Sequence, residues 1–154
     1  MGLWMWRISW QKFWRLSAGE RRTLLAAVAG LVLARLVMGC AGVGRTQRLA
    51  ARLLRRRPAR PVTVQDAMRL ARLIDGAARV AGGRCLARAL VLLWMLRWKG
   101  AEGVLRVGVR RHGEGLEAHA WVEYDGVVLE GAGRQAEPFI PFAANLAEAM
   151  GRIR

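Results

Sequence analysis

The chain has 154 residues, 54% of them hydrophobic, with 26 Lys+Arg against 11 Asp+Glu and two cysteines. That is enough for one globular domain, or a small domain with a helical extension, and it excludes wholesale disorder. Two cysteines build neither a disulfide scaffold nor a cysteine-rich zinc site, while a formal charge of +15 points toward nucleic acid, anionic lipid or an acidic partner.

The charge is unevenly placed. Residues 1–80 carry 16 Arg/Lys and three acids, Glu20, Asp66 and Asp75, whereas residues 81–154 carry ten and eight. The chain therefore divides into a basic helical region over 1–80 and a nearly neutral region over 81–154. An arginine-rich helix surface is also simply well solvated, so the charge alone assigns no binding role.

In chain order, Met1 to Leu16 holds Trp4, Trp6, Trp10 and Trp14 with Arg7, Lys12 and Arg15 between them. The i, i+4 spacing of Trp6, Trp10 and Trp14 would stack them on one helix face, for packing on the domain or for a partner or membrane surface. Ser17-Ala-Gly-Glu20 has the capping-box form and opens a helix toward Met38. The run from Leu24 is apolar but interrupted by Arg35, short of the about 20 residues a spanning helix needs. It reads as buried or interfacial, with neither a secretory signal nor a transmembrane segment, so a cytoplasmic location with reduced thiols is expected. Gly39, Gly42 and Gly44 are expected to break this helix, leaving Arg45 to Arg57 as a second, short basic one that ends at Pro58 and Pro61. Thr63-Val-Gln-Asp66 is another capping box, followed by apolar residues at helical spacing to Val80.

After Gly82-Gly83-Arg84, Cys85 opens LARALVLLWMLRW, Leu86 to Trp98, which is apolar around most of its circumference and must be buried. Gly100 closes it. Val104 to Arg110 reads as a strand, His112 to Gly115 as a loop and Leu116 to Tyr124 as a second strand. Asp125-Gly126 is a hairpin turn leading into Val127 to Glu130. A buried helix followed by a three-stranded antiparallel meander makes the fold α+β, with one closing helix expected after Pro141.

Three residues in this second half can carry chemistry. Cys85 lies at a helix start, where unpaired N–H groups and a partial positive charge favour thiolate; a buried cysteine there is otherwise a small hydrophobe, the reading given to Cys40. His119 alternates onto one strand face with Glu117, Trp121 and Glu123, opposite Leu116, Ala118, Ala120, Val122 and Tyr124. If Asp125-Gly126 is a two-residue turn, Tyr124 pairs with Val127, Val122 with Leu129 and Trp121 with Glu130. Glu130 is then the diagonal neighbour of His119, roughly 7–8 Å away between backbones, while Glu123 is about 13 Å along the same strand. Thiol, imidazole and carboxylate in this order form a Cys-His-acid arrangement, with the Cys85 backbone N–H as an oxyanion donor.

The block Gly83-Arg-Cys-Leu-x-x-Ala-Leu, followed by Ala118-His-Ala-Trp-Val-Glu123 and Asp125-Gly126-Val-Val, resembles the transglutaminase-like leader peptidases of lasso-peptide biosynthesis. The specific match runs from about Gly82 to Gly131, and the Leu/Ala-rich basic helices of 17–80 are similar to that family's N-terminal region. The resemblance implies a transglutaminase-like, papain-like core over 81–154, with a catalytic helix packed on the β-meander. It implies a cysteine peptidase that frees a ribosomally made precursor from its leader, so that a separate cyclase can close the macrolactam, with no cofactor or metal. The nucleophile carries over to Cys85 and the base to His119. The third member is usually Asp in this superfamily, and this sequence has Glu130 near that place, with Gly131 one residue further. The chain resembles the stand-alone form, whose leader is recognised by a separate small protein, and its aromatic N-terminus or basic helices are the candidate docking surfaces. Two other readings stay open: an acyltransferase using the same triad with an amine acceptor, and a non-enzymatic basic module for anionic membrane or nucleic acid. No nucleic-acid motif supports the last, because the aromatics precede the arginine-rich part instead of interleaving with it.

Overall fold

The computed structural model describes Trp14 and residues 16–53, 61–82, 84–129 and 139–141. Three helices lead into a four-stranded antiparallel sheet: α1 (Ala18–Leu53), α2 (Val64–Ala81), α3 (Cys85–Trp98), β1 (Val104–His112), β2 (Gly115–Tyr124), β3 (Val127–Leu129) and β4 (Ile140–Pro141). The architecture is α+β, as the sequence predicts.

The helix ends follow the sequence signals. At α1, the Ser17 N–H donates to Glu20 Oε2 at 2.9 Å and the Glu20 N–H donates to Ser17 Oγ at 3.2 Å, the reciprocal pair of a capping box. At α2, the Asp66 N–H donates to Thr63 Oγ1 at 3.1 Å, and that hydroxyl donates to Asp66 Oδ2 at 2.8 Å. The shorter Asp meets the capping hydroxyl instead of the backbone. At the end of α3, Gly100 takes φ 86°. The Gly100 N–H donates to Arg97 O and the Ala101 N–H to Leu96 O, which satisfies two terminal carbonyls in a Schellman arrangement.

One expectation fails in α1. The glycines at 39, 42 and 44 do not end the helix, which runs unbroken for 36 residues to Leu53. Each interior glycine costs about 1 kcal/mol relative to alanine, but none carries the φ reversal of a C-cap, and strong helix formers follow from Arg45 to Leu53. The expected continuation of the basic helix to Arg57 lies outside the described residues, as do the positions of Trp4, Trp6 and Trp10 and a closing helix after Pro141.

The core is a single apolar cluster. Ala27, Leu31 and Ala34 of α1 meet Leu70, Ala71 and Ile74 of α2, Leu90, Val91 and Leu96 of α3, and Leu105, Val122 and Leu129 of the sheet. Gly30 gives α3 close access to α1, since a Cβ there would lie 3.3 Å from Val91 Cγ1. The half-buried pair Arg88–Asp75, at 3.0 Å, also joins α3 to α2. The hydroxyl of Tyr124 donates to Val62 O at 2.8 Å, fixing the end of β2 to the entry of α2.

The strand order is β3-β2-β1-β4. The hairpin register is the one that the Asp125-Gly126 turn dictates: Val122 faces Leu129 and Tyr124 faces Val127, with φ of 51° at Asp125 and 73° at Gly126, as a type I′ turn requires. The β1–β2 connection is tighter than a loop from His112 to Gly115, because those two residues pair and only Gly113 and Glu114 turn. A strand beyond the expected meander, β4, flanks β1 on its other side, with Gly108 opposite Pro141 and Val109 opposite Ile140.

Candidate active site

Cys85 is the first residue of α3. The residue before it, Arg84, is extended at φ −73° and ψ 162° and makes no capping hydrogen bond with its side chain, and the first turn of the helix holds no acid. The thiol is free and half-buried, against the apolar core. An uncapped helix start of this kind leaves backbone N–H groups for an incoming anion or polarised carbonyl.

His119 lies in β2, the strand that packs against α3. At 6% exposure it is the one buried polar side chain among the described residues. Its ring stacks with Trp121, centroids 6.2 Å apart and planes 16° apart, and lies 5.0 Å from Phe139. The flanking groups are themselves held. The Trp121 indole N–H donates to Glu123 Oε1 at 3.2 Å, and Arg106 Nε donates to the other oxygen of that carboxylate at 3.0 Å. Arg110 pairs with Glu117 at 2.8 Å and places its guanidinium 4.7 Å from the Phe139 ring centre. His119 thus sits in an aromatic cradle edged by ion pairs.

Gly108 makes that cradle possible. It is the β1 partner of His119, and a Cβ there would come within 2.8 Å of Ile140 O and 2.9 Å of Trp121 Cη2. The missing side chain lets the indole lie across β1 and lets β4 pair with it. Gly108, Phe139 and Arg110 shape the cradle without any sequence motif to mark them. A glycine inside a β-branched strand is the available sign of a close approach, but nothing local in the sequence shows what approaches.

The predicted faces hold. Ala120 and Val122 are buried in the core with α3, so the two-residue alternation puts His119 on the opposite face with Trp121. The structure therefore brings Cys85 and His119 onto packed elements, a helix start and the adjoining strand, with the imidazole on the outer side of the sheet. Glu130 and Gly131 lie outside the described residues, and so does any pairing between Trp121 and Glu130. Cys40 lies within α1.

Comparison with known families matches residues 30–143 to the transglutaminase-like superfamily. Neither the curated proteins nor the solved structures give a match. The matched span takes in most of α1, all of α2 and α3 and the whole sheet, so it covers both the basic helices and the cradle of His119. With Cys85 at the start of a buried helix and His119 in the strand packed on it, the chain belongs to the transglutaminase-like superfamily, whose members include cysteine peptidases and acyltransferases.

Proposed function

We propose that the chain is a cytoplasmic cysteine peptidase that removes the leader from a ribosomally made lasso-peptide precursor, before a separate cyclase forms the macrolactam. The observation that carries the peptidase reading is the pairing of an uncapped helix start at Cys85 with a buried imidazole, His119, on the adjoining strand. The lasso-peptide specificity is supported by the Gly83-Arg-Cys-Leu and Ala118-His-Ala-Trp-Val-Glu123 blocks.

In this mechanism His119 takes the thiol proton and Cys85 Sγ attacks the scissile carbonyl. The oxyanion is held by backbone N–H groups at the start of α3. Collapse breaks the C–N bond, the amine leaves with the proton from the imidazole, and water then hydrolyses the thioester to release the leader as a carboxylate. Catalytic hydrogen bonds are often long in the absence of substrate and tighten in the Michaelis complex. Glu130 is the proposed third member, holding the imidazole tautomer from the strand after the hairpin. A separate small protein delivers the leader, and the cyclase takes the freed core.

The test is mass spectrometry of the full chain incubated with its recognition protein and precursor. Wild type releases free leader, and Cys85→Ala, which alters a half-buried position by one sulfur atom, releases none. Cleavage by Cys85→Ala would defeat the catalytic reading. A leader carrying an amine adduct would assign the acyltransferase reaction to the same residues. Glu130→Gln should lower turnover by about tenfold or more, and an unchanged rate would move the tautomer-holding role to another group.

A further inference from the structure

We propose that the outward face of α1 rests on an anionic lipid surface. This goes beyond the peptidase reading and does not depend on it. The inward face of α1, at Ala27, Leu31 and Ala34, is fully buried. The opposite face is as apolar, yet Leu25, Val32, Leu33 and Leu36 are 60, 47, 56 and 63% exposed, with Ala26 and Ala29 also exposed. These positions recur at helical spacing over about 17 Å of helix. Between Arg22 and Arg45 the one charged residue is Arg35, and it points elsewhere: its Nη1 donates to Ala81 O at 2.7 Å and to Gly82 O at 3.3 Å, capping the end of α2. The outward stripe therefore carries no charge of its own, and a helix apolar on both sides needs cover on both.

Charge decides what covers it. The stripe begins after Arg21 and Arg22, four and three residues before Leu25 and so on its side of the helix. No acid occurs between Glu20 and Asp66. A second copy of the chain laid parallel on this face would set arginine against arginine at that end. An anionic bilayer surface accepts an apolar stripe with a cationic end and requires no shaped groove. Trp14, 64% exposed just before the helix and with the Arg21 guanidinium 5.5 Å from its ring centre, is the residue type that prefers the headgroup level. Among the described residues no helix is long and apolar enough to cross a membrane, so the contact is one of lying on the surface.

The test is co-sedimentation of the full chain with vesicles of phosphatidylcholine and phosphatidylglycerol in equal parts, against pure phosphatidylcholine vesicles. The wild type pellets with the anionic vesicles, much less with the neutral ones, and less in high salt. Leu33→Gln with Leu36→Gln weakens binding by at least about tenfold, the loss expected when two leucines no longer enter the interface. Both positions are exposed, so circular dichroism should show an unchanged fold; Leu25→Gln with Val32→Gln repeats the measurement on the same stripe. Absence of pelleting with anionic vesicles, or equal pelleting of wild type and both variant pairs, overturns the proposal. So does a wild-type dimer in solution that either variant pair converts to monomer, which would give the stripe to a second copy.

Discussion

Gly108 shows how much of the site depends on an atom that is missing. The Trp121 indole and the Ile140 carbonyl occupy the space a Cβ would need, and the same indole stacks with His119. Gly108→Ala should therefore displace the indole, loosen the imbedded imidazole and lower turnover by about tenfold or more, while costing about 1–3 kcal/mol as an overpacked position. Cleavage kinetics and a denaturant titration on the same variant check both effects; wild-type turnover would show that the cradle is not needed. Glu20 gives a second prediction at this scale. The N–H of Ser17 and then the Ser17 hydroxyl hold its carboxyl below the usual 4.5. A depressed carboxylate stabilises the fold above its unfolded pKa, and the contribution is lost as pH falls through the folded value. The first turn of α1 should fray as pH falls below 4.5 and through the lowered folded value. Hydrogen exchange at the Ser17 amide should follow that change in wild type and stay flat in Glu20→Gln.

At the scale of elements, legibility in the sequence depended on how local the cause was. The capping box at Ser17, the N-cap at Thr63, the Gly100 stop and the type I′ turn at Asp125-Gly126 are set by residues close in sequence, and the structure reproduces them, including the pairing of Val122 with Leu129. The alternation of β2 likewise separated the His119 face from the Ala120 and Val122 face. The departures have causes that no local pattern carries. The glycines of α1 locally favour a break, yet the helix passes through them. β4 is only two residues long and contains a proline, so it has no pattern of its own and exists through its pairing with β1. Phe139 reaches His119 by the same long-range return. α3 was legible as a buried helix because it is apolar on nearly every side. Leu90, at 0% exposure in its centre, should lose about 2–5 kcal/mol on substitution to alanine. Thermal or denaturant unfolding checks this, and a loss well under 1 kcal/mol would argue that α3 is not the centre of the core.

For the molecule as a whole, the charge of +15 is concentrated in the half without Cys85 and His119, and that half is nevertheless continuous with the core. α1 and α2 bury Leu31 and Ile74 against α3, and the superfamily match crosses from one half to the other. The basic helices are thus structural support for α3, which begins at Cys85, on one side and a surface on the other. The central claim is that Cys85 and His119 act together despite lying on a helix start and on the outer face of the neighbouring strand. The most direct measurement is the rate of alkylation of Cys85 by iodoacetamide at neutral pH, resolved from Cys40 by peptide mass mapping, in wild type and in His119→Ala. The account predicts that Cys85 labels much faster than Cys40 in wild type and that His119→Ala slows Cys85 by about tenfold or more. Equal, slow labelling of both cysteines in wild type, or a Cys85 rate unaffected by His119→Ala, would contradict it.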